Sequence, residues 1–121
     1  MLNRKESVLA EKSLDFAVRI VNLCRLLKNS RREWTISSQV LRSGTSIGAN
    51  VREARSAQSK ADFVAKLSIA LKECDETGYW LELLHRTKSL SQVEYESIAT
   101  DNEELFAMLT ATIKSSKRNT Q

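Results

Sequence analysis

Hydrophobic residues return along this chain at steps of three and four, the rhythm of an α-helix buried on one side. Leu9, Phe16, Ile20, Leu23 and Leu27 mark the first such face and predict a helix over residues 6–28. Asn29-Ser30 is its predicted stop, because Asn tolerates the left-handed conformation that ends helices. Arg31-Arg32-Glu33 then reads as a polar connection. Ile36, Val40, Ile47, Val51 and Ala54 predict a second helix over 35–57. Gly44 and Gly48 fall inside it. Each weakens a helix by about 1 kcal/mol relative to Ala, so another backbone is expected to approach closely there. Ser59 with Asp62 has the form of an N-cap: a hydroxyl for an orphan N–H, and an acid at the positive helix end. Beyond it Phe63, Leu67, Ala70, Cys74, Thr77, Leu81 and Leu84 alternate steps of four and three over 60–87, as a bundle core does. Ser91 and Glu94 form a capping box before a fourth helix over 92–116, whose inward residues are Ile98, Leu105, Leu109 and Thr112 or Ile113.

Four helices of similar length with short connections predict an all-α fold. The expected architecture is one domain over 1–121, an up-down-up-down antiparallel four-helix bundle, with a polar, frayed tail from Lys117. Proline is absent and only three glycines occur, too little punctuation for a turn-rich β fold. No apolar run approaches the roughly 20 residues that cross a bilayer. Residues 1–12 are charged and lack the apolar centre of a signal peptide. Cys24 and Cys74 have no metal-ligand spacing and fall on apolar faces, which points to reduced thiols and a cytoplasmic location.

The net charge is +4, and it is uneven. Residues 1–60 hold 12 Lys/Arg against five Asp/Glu, and residues 61–121 hold seven against ten. A basic half attracts phosphate backbones; the plainer reading pairs basic and acidic helices within the bundle or between subunits. Lys28, Arg31, Arg32, Arg52, Arg55 and Lys60 gather around the first connection and along the second helix, with Trp34 among them. They make either a phosphate-binding patch with an aromatic platform or a solvated face with Trp34 plugging one end. No helix-turn-helix, zinc-finger or RNP-like signature accompanies them.

The most unusual stretch is residues 42–53. At about 100° per residue, Arg42, Ser46, Ala49, Asn50 and Glu53 share one face beside the apolar stripe. Polar groups so placed are expected to be half buried and partnered. Glu73 on the third helix is the natural partner, through an Arg42–Glu73 pair or an Asn50–Glu73 hydrogen bond. This reads as a structural network, since no His lies near Glu53 or Glu73 in sequence and Cys74, next to Glu73, falls on the apolar face. Replacing Asn50 or Glu73 by Leu is expected to leave a partner unpaired. Glu82-x-x-His85 has the spacing of a di-iron bundle, but such a site needs two pairs and His85 is the only histidine. No catalytic residue, cofactor or metal ligand is assigned, and the chain is read as non-enzymatic.

The third helix also carries a second apolar face, with Ile69, Trp80 and Leu83 interleaved with Glu73 and Glu76; Leu41 lies off the core stripe of the second helix. Either the core is wide or these residues meet another subunit. An exposed patch of this kind is a liability on a monomer, which favours a homo-oligomer with Leu41, Ile69, Glu76, Trp80 and Leu83 at its seam.

Ser43-x-x-Ser46-Ile47-x-x-Asn50-Val51-x-Glu53, followed by Phe63 and Leu67-Ser68-Ile69-Ala70-x-x-Glu73, resembles the family named for the 23S rRNA intervening-sequence protein. The resemblance runs over about residues 13–114. One departure is Glu53-Ala54, where such sequences commonly have Glu-Gly. The resemblance implies a cytoplasmic bacterial protein forming a ring-like homopentamer. It also brings in a distant relative, the accessory protein of diversity-generating retroelements, a basic pentamer that works with reverse transcriptase and RNA. It carries over no catalytic residue. The functional expectation is therefore an oligomeric bundle that binds RNA or a nucleoprotein through its basic surface. The alternative is a protein-interaction scaffold without nucleic-acid binding. Neither involves a membrane or a metal.

Overall fold

The computed structural model describes residues 3–118, and all regular structure among them is helical. The elements are α1 (Arg4–Arg31), α2 (Thr35–Ala54), α3 (Lys60–Arg86) and α4 (Gln92–Arg118).

Each helix begins where a side chain satisfies its orphan N–H groups. Asn3 Oδ1 accepts from the Glu6 N–H at 2.8 Å and opens α1. The Glu33 carboxylate accepts from Ile36 N–H at 3.1 Å and Ser37 N–H at 2.7 Å, so the expected polar connection is also the cap of α2. Ser59 Oγ accepts from Asp62 N–H at 3.0 Å. The Ser91–Glu94 box is reciprocal, at 3.2 Å from Glu94 N–H to Ser91 Oγ and 2.9 Å from Ser91 N–H to the Glu94 carboxylate.

Helix ends differ from expectation in three places. Helix α1 runs through Asn29-Ser30 to Arg31, and Arg32 (φ 58°) takes the left-handed cap. The guanidinium of Arg31 bonds Glu94 at 2.7 and 2.8 Å and the Ser89 carbonyl at 2.8 Å, which holds this last turn helical. Helix α2 stops at Ala54 rather than 57, because the chain there tightens into three-residue bonds, Ser56 N–H to Glu53 O at 3.0 Å and Ala57 N–H to Ala54 O at 3.1 Å. Helix α4 stays helical to Arg118, past the predicted start of the tail; residues 119–121 lie outside the described residues.

The four helices close on one core: α1 packs on α2, α2 on α3, α3 on α4, and α4 back on α1 in the loosest of the four contacts. Leu9, Ile20, Leu27, Val40, Ile47, Leu67, Leu81, Leu84, Leu105 and Leu109 are almost wholly buried. Each such side chain contributes roughly 1.5–3 kcal/mol through burial. Leu23, Ile36 and Phe63, expected in the core, are half-buried against it. Both second-helix glycines meet α1. A Cβ on Gly44 would come within 2.9 Å of Ile20 side-chain carbons, and one on Gly48 within 3.2 Å of the Ser13 carbonyl oxygen. No helix among the described residues is long and apolar enough to cross a membrane.

Candidate nucleic-acid interface

The polar stretch of α2 resolves into separate contacts. Arg42 lies on the surface, 3.1 Å from Glu73 and also bonded to Glu76, which in turn accepts from the Trp80 indole N–H at 2.9 Å. Asn50 does not reach Glu73. It donates to the Ser46 carbonyl of its own helix at 2.9 Å, and Ser46 hydroxyl donates to the Arg42 carbonyl at 2.6 Å. Glu53 points to Lys66 at 3.2 Å. The expected Arg42–Glu73 pair is present, and Ser46, Asn50 and Glu73 are half-buried, but the five residues form no single network: Asn50 and Ser46 bond within their own helix, and Glu53 pairs separately with Lys66. The stretch faces outward because Ser43, one position from Arg42, takes the line between α2 and α3.

Ser43 and Thr77 are both fully buried, with their hydroxyl oxygens 2.9 Å apart and Thr77 Oγ1 2.8 Å from the Glu73 carbonyl. Asn102 forms a second buried polar link, donating to the Cys74 carbonyl at 3.1 Å. Sequence reasoning missed it, though its place between Ile98 and Leu105 on the α4 stripe was the available signal. Burial raises the Cys24 thiol, and raises Cys74 to about 12, so both stay protonated. His85 stacks on Tyr95 with ring centroids 4.5 Å apart, and Glu82 pairs with Arg86 at 2.7 Å. Among the described residues no group of three His, Cys, Asp or Glu converges as a metal site.

The six basic residues singled out from sequence do not form one patch. Helix α2, at 20 residues, is about 30 Å long, and it separates them into two groups. Lys28, Arg31 and Arg32 lie at the end carrying the α1–α2 and α3–α4 connections. There Arg31 is taken by Glu94, whose carboxyl is held at about 2 by that hydrogen bond and by the Ser91 N–H. Arg32 stands 5.8 Å from the ring centre of Trp34, which is 54% exposed and so plugs nothing. Arg52, Arg55 and Lys60 lie toward the opposite end, where a hollow of about 590 Å³ brings Glu6 and Ser7 of α1 against Ala54, Arg55 and Phe63.

Contacts between helices fix which charges share a level. Ser13 meets Gly48, Lys12 pairs with Glu104, and Cys74 bonds Asn102. Residues 4–12, 48–71 and 105–118 thus form a lower end, with ten Lys/Arg against four Asp/Glu. The waist, residues 13–23, 38–47, 72–82 and 95–104, has three against nine. The upper end, residues 24–37 and 83–94, has six against two. Charge is therefore segregated along the bundle axis as well as between halves of the sequence. Arg4, Lys5, Lys114 and Arg118 join the lower end and were missed, because only folding brings the start of α1 and the end of α4 beside the α2–α3 turn. All four are exposed, as are Arg55 and Lys60.

The predicted seam residues are mostly spent within the chain. Leu41 and Trp80 pack against the core, Glu76 is held by Arg42 and Trp80, and Leu83 is half-buried; Ile69 remains 44% exposed.

By fold this is a small all-α bundle of four helices whose α2–α3 seam is lined by Ser43 and Thr77 and whose α1–α2 seam is set by glycine. The chain belongs to the 23S rRNA-intervening sequence protein family, whose model matches residues 5–111. The motif read over residues 43–73 lies inside that span. The chain is also similar to a crystallised protein of unknown function from the S23 ribosomal protein family of Bacteroides thetaiotaomicron VPI-5482. Identity is 57% and the TM-score 0.90, over 91% of this chain and 98% of that one. No curated protein matches.

Proposed function

We propose that this chain is a non-enzymatic, antiparallel up-down-up-down bundle that assembles as a homopentamer in the bacterial cytoplasm and binds RNA, free or within a nucleoprotein, through its lower end. One observation carries the reading: ten basic side chains gather at that end against four acidic ones. Among the described residues Lys12 and Lys66 have ion pairs with Glu104 and Glu53, while Arg4, Lys5, Arg55, Lys60, Lys114 and Arg118 have none. Unneutralised cations on an exposed surface suit the phosphate backbone and no particular base. Copies arranged side by side would multiply a weak single contact into useful affinity.

Filter binding of a structured RNA across a salt series tests this. Binding at low salt should weaken along a straight log–log line, by about 0.7–0.9 per phosphate contact. Absence of binding at low salt overturns the reading. Recovery of protein partners that survive nuclease treatment, with no RNA bound, would put a scaffold in its place.

A further inference from the structure

We infer that the hollow at the lower end takes one unstacked base, so that the RNA bound there is single-stranded and not duplex. This rests on the proposed function and deepens it: the cations hold phosphates, and the hollow holds what hangs between them. The hollow, of about 590 Å³, lies where the start of α1, the end of α2 and the start of α3 meet. That volume falls within the roughly 300–1,000 Å³ of small-ligand clefts. Its lining combines unlike groups. Phe63, half-buried, supplies an aromatic ring, Glu6 a carboxylate, Ser7 and Ser59 hydroxyls, and Arg55 a guanidinium.

The Glu6 carboxylate decides between ligands. It repels phosphate, so the hollow itself is no anion site, although Lys5, Arg55 and Lys60 are beside it in sequence or on its wall. One Glu6 oxygen accepts from the Asn3 side-chain amide at 2.7 Å, which orients the carboxylate and leaves its other oxygen for a ligand. Ser59 Oγ accepts from the Asp62 N–H, so its own hydrogen is left to donate. An aromatic face, a carboxylate acceptor and hydroxyl donors together suit a flat, uncharged ligand with N–H and carbonyl groups on its edge, which is a nucleobase. In a duplex the faces are stacked and the edges paired, so only an unstacked base enters. The carboxylate favours cytosine, with its exocyclic amino group, over uracil, which has a carbonyl at that position. Lys5, Arg55 and Lys60 then meet the phosphates on either side.

Fluorescence anisotropy of labelled oligo-C, oligo-U and an RNA duplex of equal length tests this. Wild type should bind oligo-C about fivefold more tightly than oligo-U. Phe63→Leu should weaken oligo-C by about tenfold, the loss of one base stack, with duplex binding and the salt slope unchanged. Phe63→Tyr keeps the ring and should bind as wild type does. Glu6→Gln, at the surface of the first turn, should bring oligo-C and oligo-U together, because an amide also donates to the uracil carbonyl. Circular dichroism verifies that each variant keeps its helix content. If Phe63→Leu binds oligo-C as wild type does, or weakens oligo-C and duplex alike, or if wild type does not distinguish oligo-C from oligo-U, the base site is overturned and phosphate binding by this end stands. Absence of binding to all three RNAs at low salt overturns phosphate binding itself, and the base site with it.

Discussion

Helix α1 meets its two neighbours in different ways. Against α2 it packs through absent side chains: Gly44 leaves room for Ile20, and Gly48 for the backbone at Ser13. Against α4 it is tied at the surface by long side chains. Lys12 reaches Glu104, Arg19 reaches Asp101, and Arg31 grips Glu94. The first seam is a close approach of backbones and side chains, so its energy depends on volume. The second is long-range and wet, so its energy depends on salt and pH and is small per pair. The same helix is thus fixed on one side and tethered on the other.

Adding volume to the close seam should have the largest effect. Gly44→Ala places a methyl 2.9 Å from Ile20 Cγ1 and Cγ2, which are buried and branched and have nowhere to move. Overpacking of this kind costs about 1–3 kcal/mol, against about 1 kcal/mol gained in helix propensity. Urea denaturation should therefore show a net loss of up to about 2 kcal/mol. Coupling to Ile20→Ala should make the double variant less damaged than the two singles combined. A stabilised Gly44→Ala would show that the seam is loose.

Next comes the hydroxyl pair between α2 and α3. Ser43→Ala leaves Thr77 with only the Glu73 carbonyl, and Thr77→Val removes both of its contacts. Each should lower stability by about 1 kcal/mol, with the double variant losing less than the sum. Strict additivity would mean that the two oxygens do not interact.

The tethered seam should respond to acid instead. The Glu94 carboxyl is depressed from 4.5 to about 2 by its bonds to Arg31 and the Ser91 N–H. A depressed folded value stabilises the protein above the unfolded one, so this contribution is complete above about pH 4.5 and disappears as pH falls toward 2. Denaturation midpoints of wild type and Glu94→Gln should differ at pH 6 and converge as pH falls through about 2. The difference is modest, since the pair is partly exposed and screened. Equal pH dependence in the two proteins would remove Glu94 from the account.

The smallest effect is expected where the sequence alone pointed to a large one. Asn50→Leu disturbs only a bond within its own helix, and Glu73→Leu only a surface pair with Arg42. Both should change stability by no more than about 0.5 kcal/mol, and additively. A coupled loss of several times that would restore a buried network.

This contrast marks what the sequence could disclose. Helix number, the two inner glycines and the Ser59 and Ser91 caps were legible, because each is a local rule written within a few residues. The register of α2 against α3 was not. A rotation of one position exchanges Arg42 for Ser43 at the seam, and periodicity does not resolve one position beside a wide stripe. The end of α1 was misplaced because Arg31 is held by Glu94, 63 positions away. The basic end was illegible for the same reason: Lys5, Lys60 and Lys114 become neighbours only when four helices have folded side by side.

The central claim is that this end, and not the upper one, meets RNA. Its most direct test is the salt slope of RNA binding for Lys5→Gln/Lys60→Gln/Lys114→Gln beside that for Lys28→Gln/Arg32→Gln. Light scattering verifies that the assembly state is the same in both. The lower-end triple should bind more weakly at low salt, with a log–log slope shallower by about 2–3, and the upper-end pair should match wild type. A triple variant that binds as wild type does, or an upper-end pair that loses the slope instead, would contradict the claim.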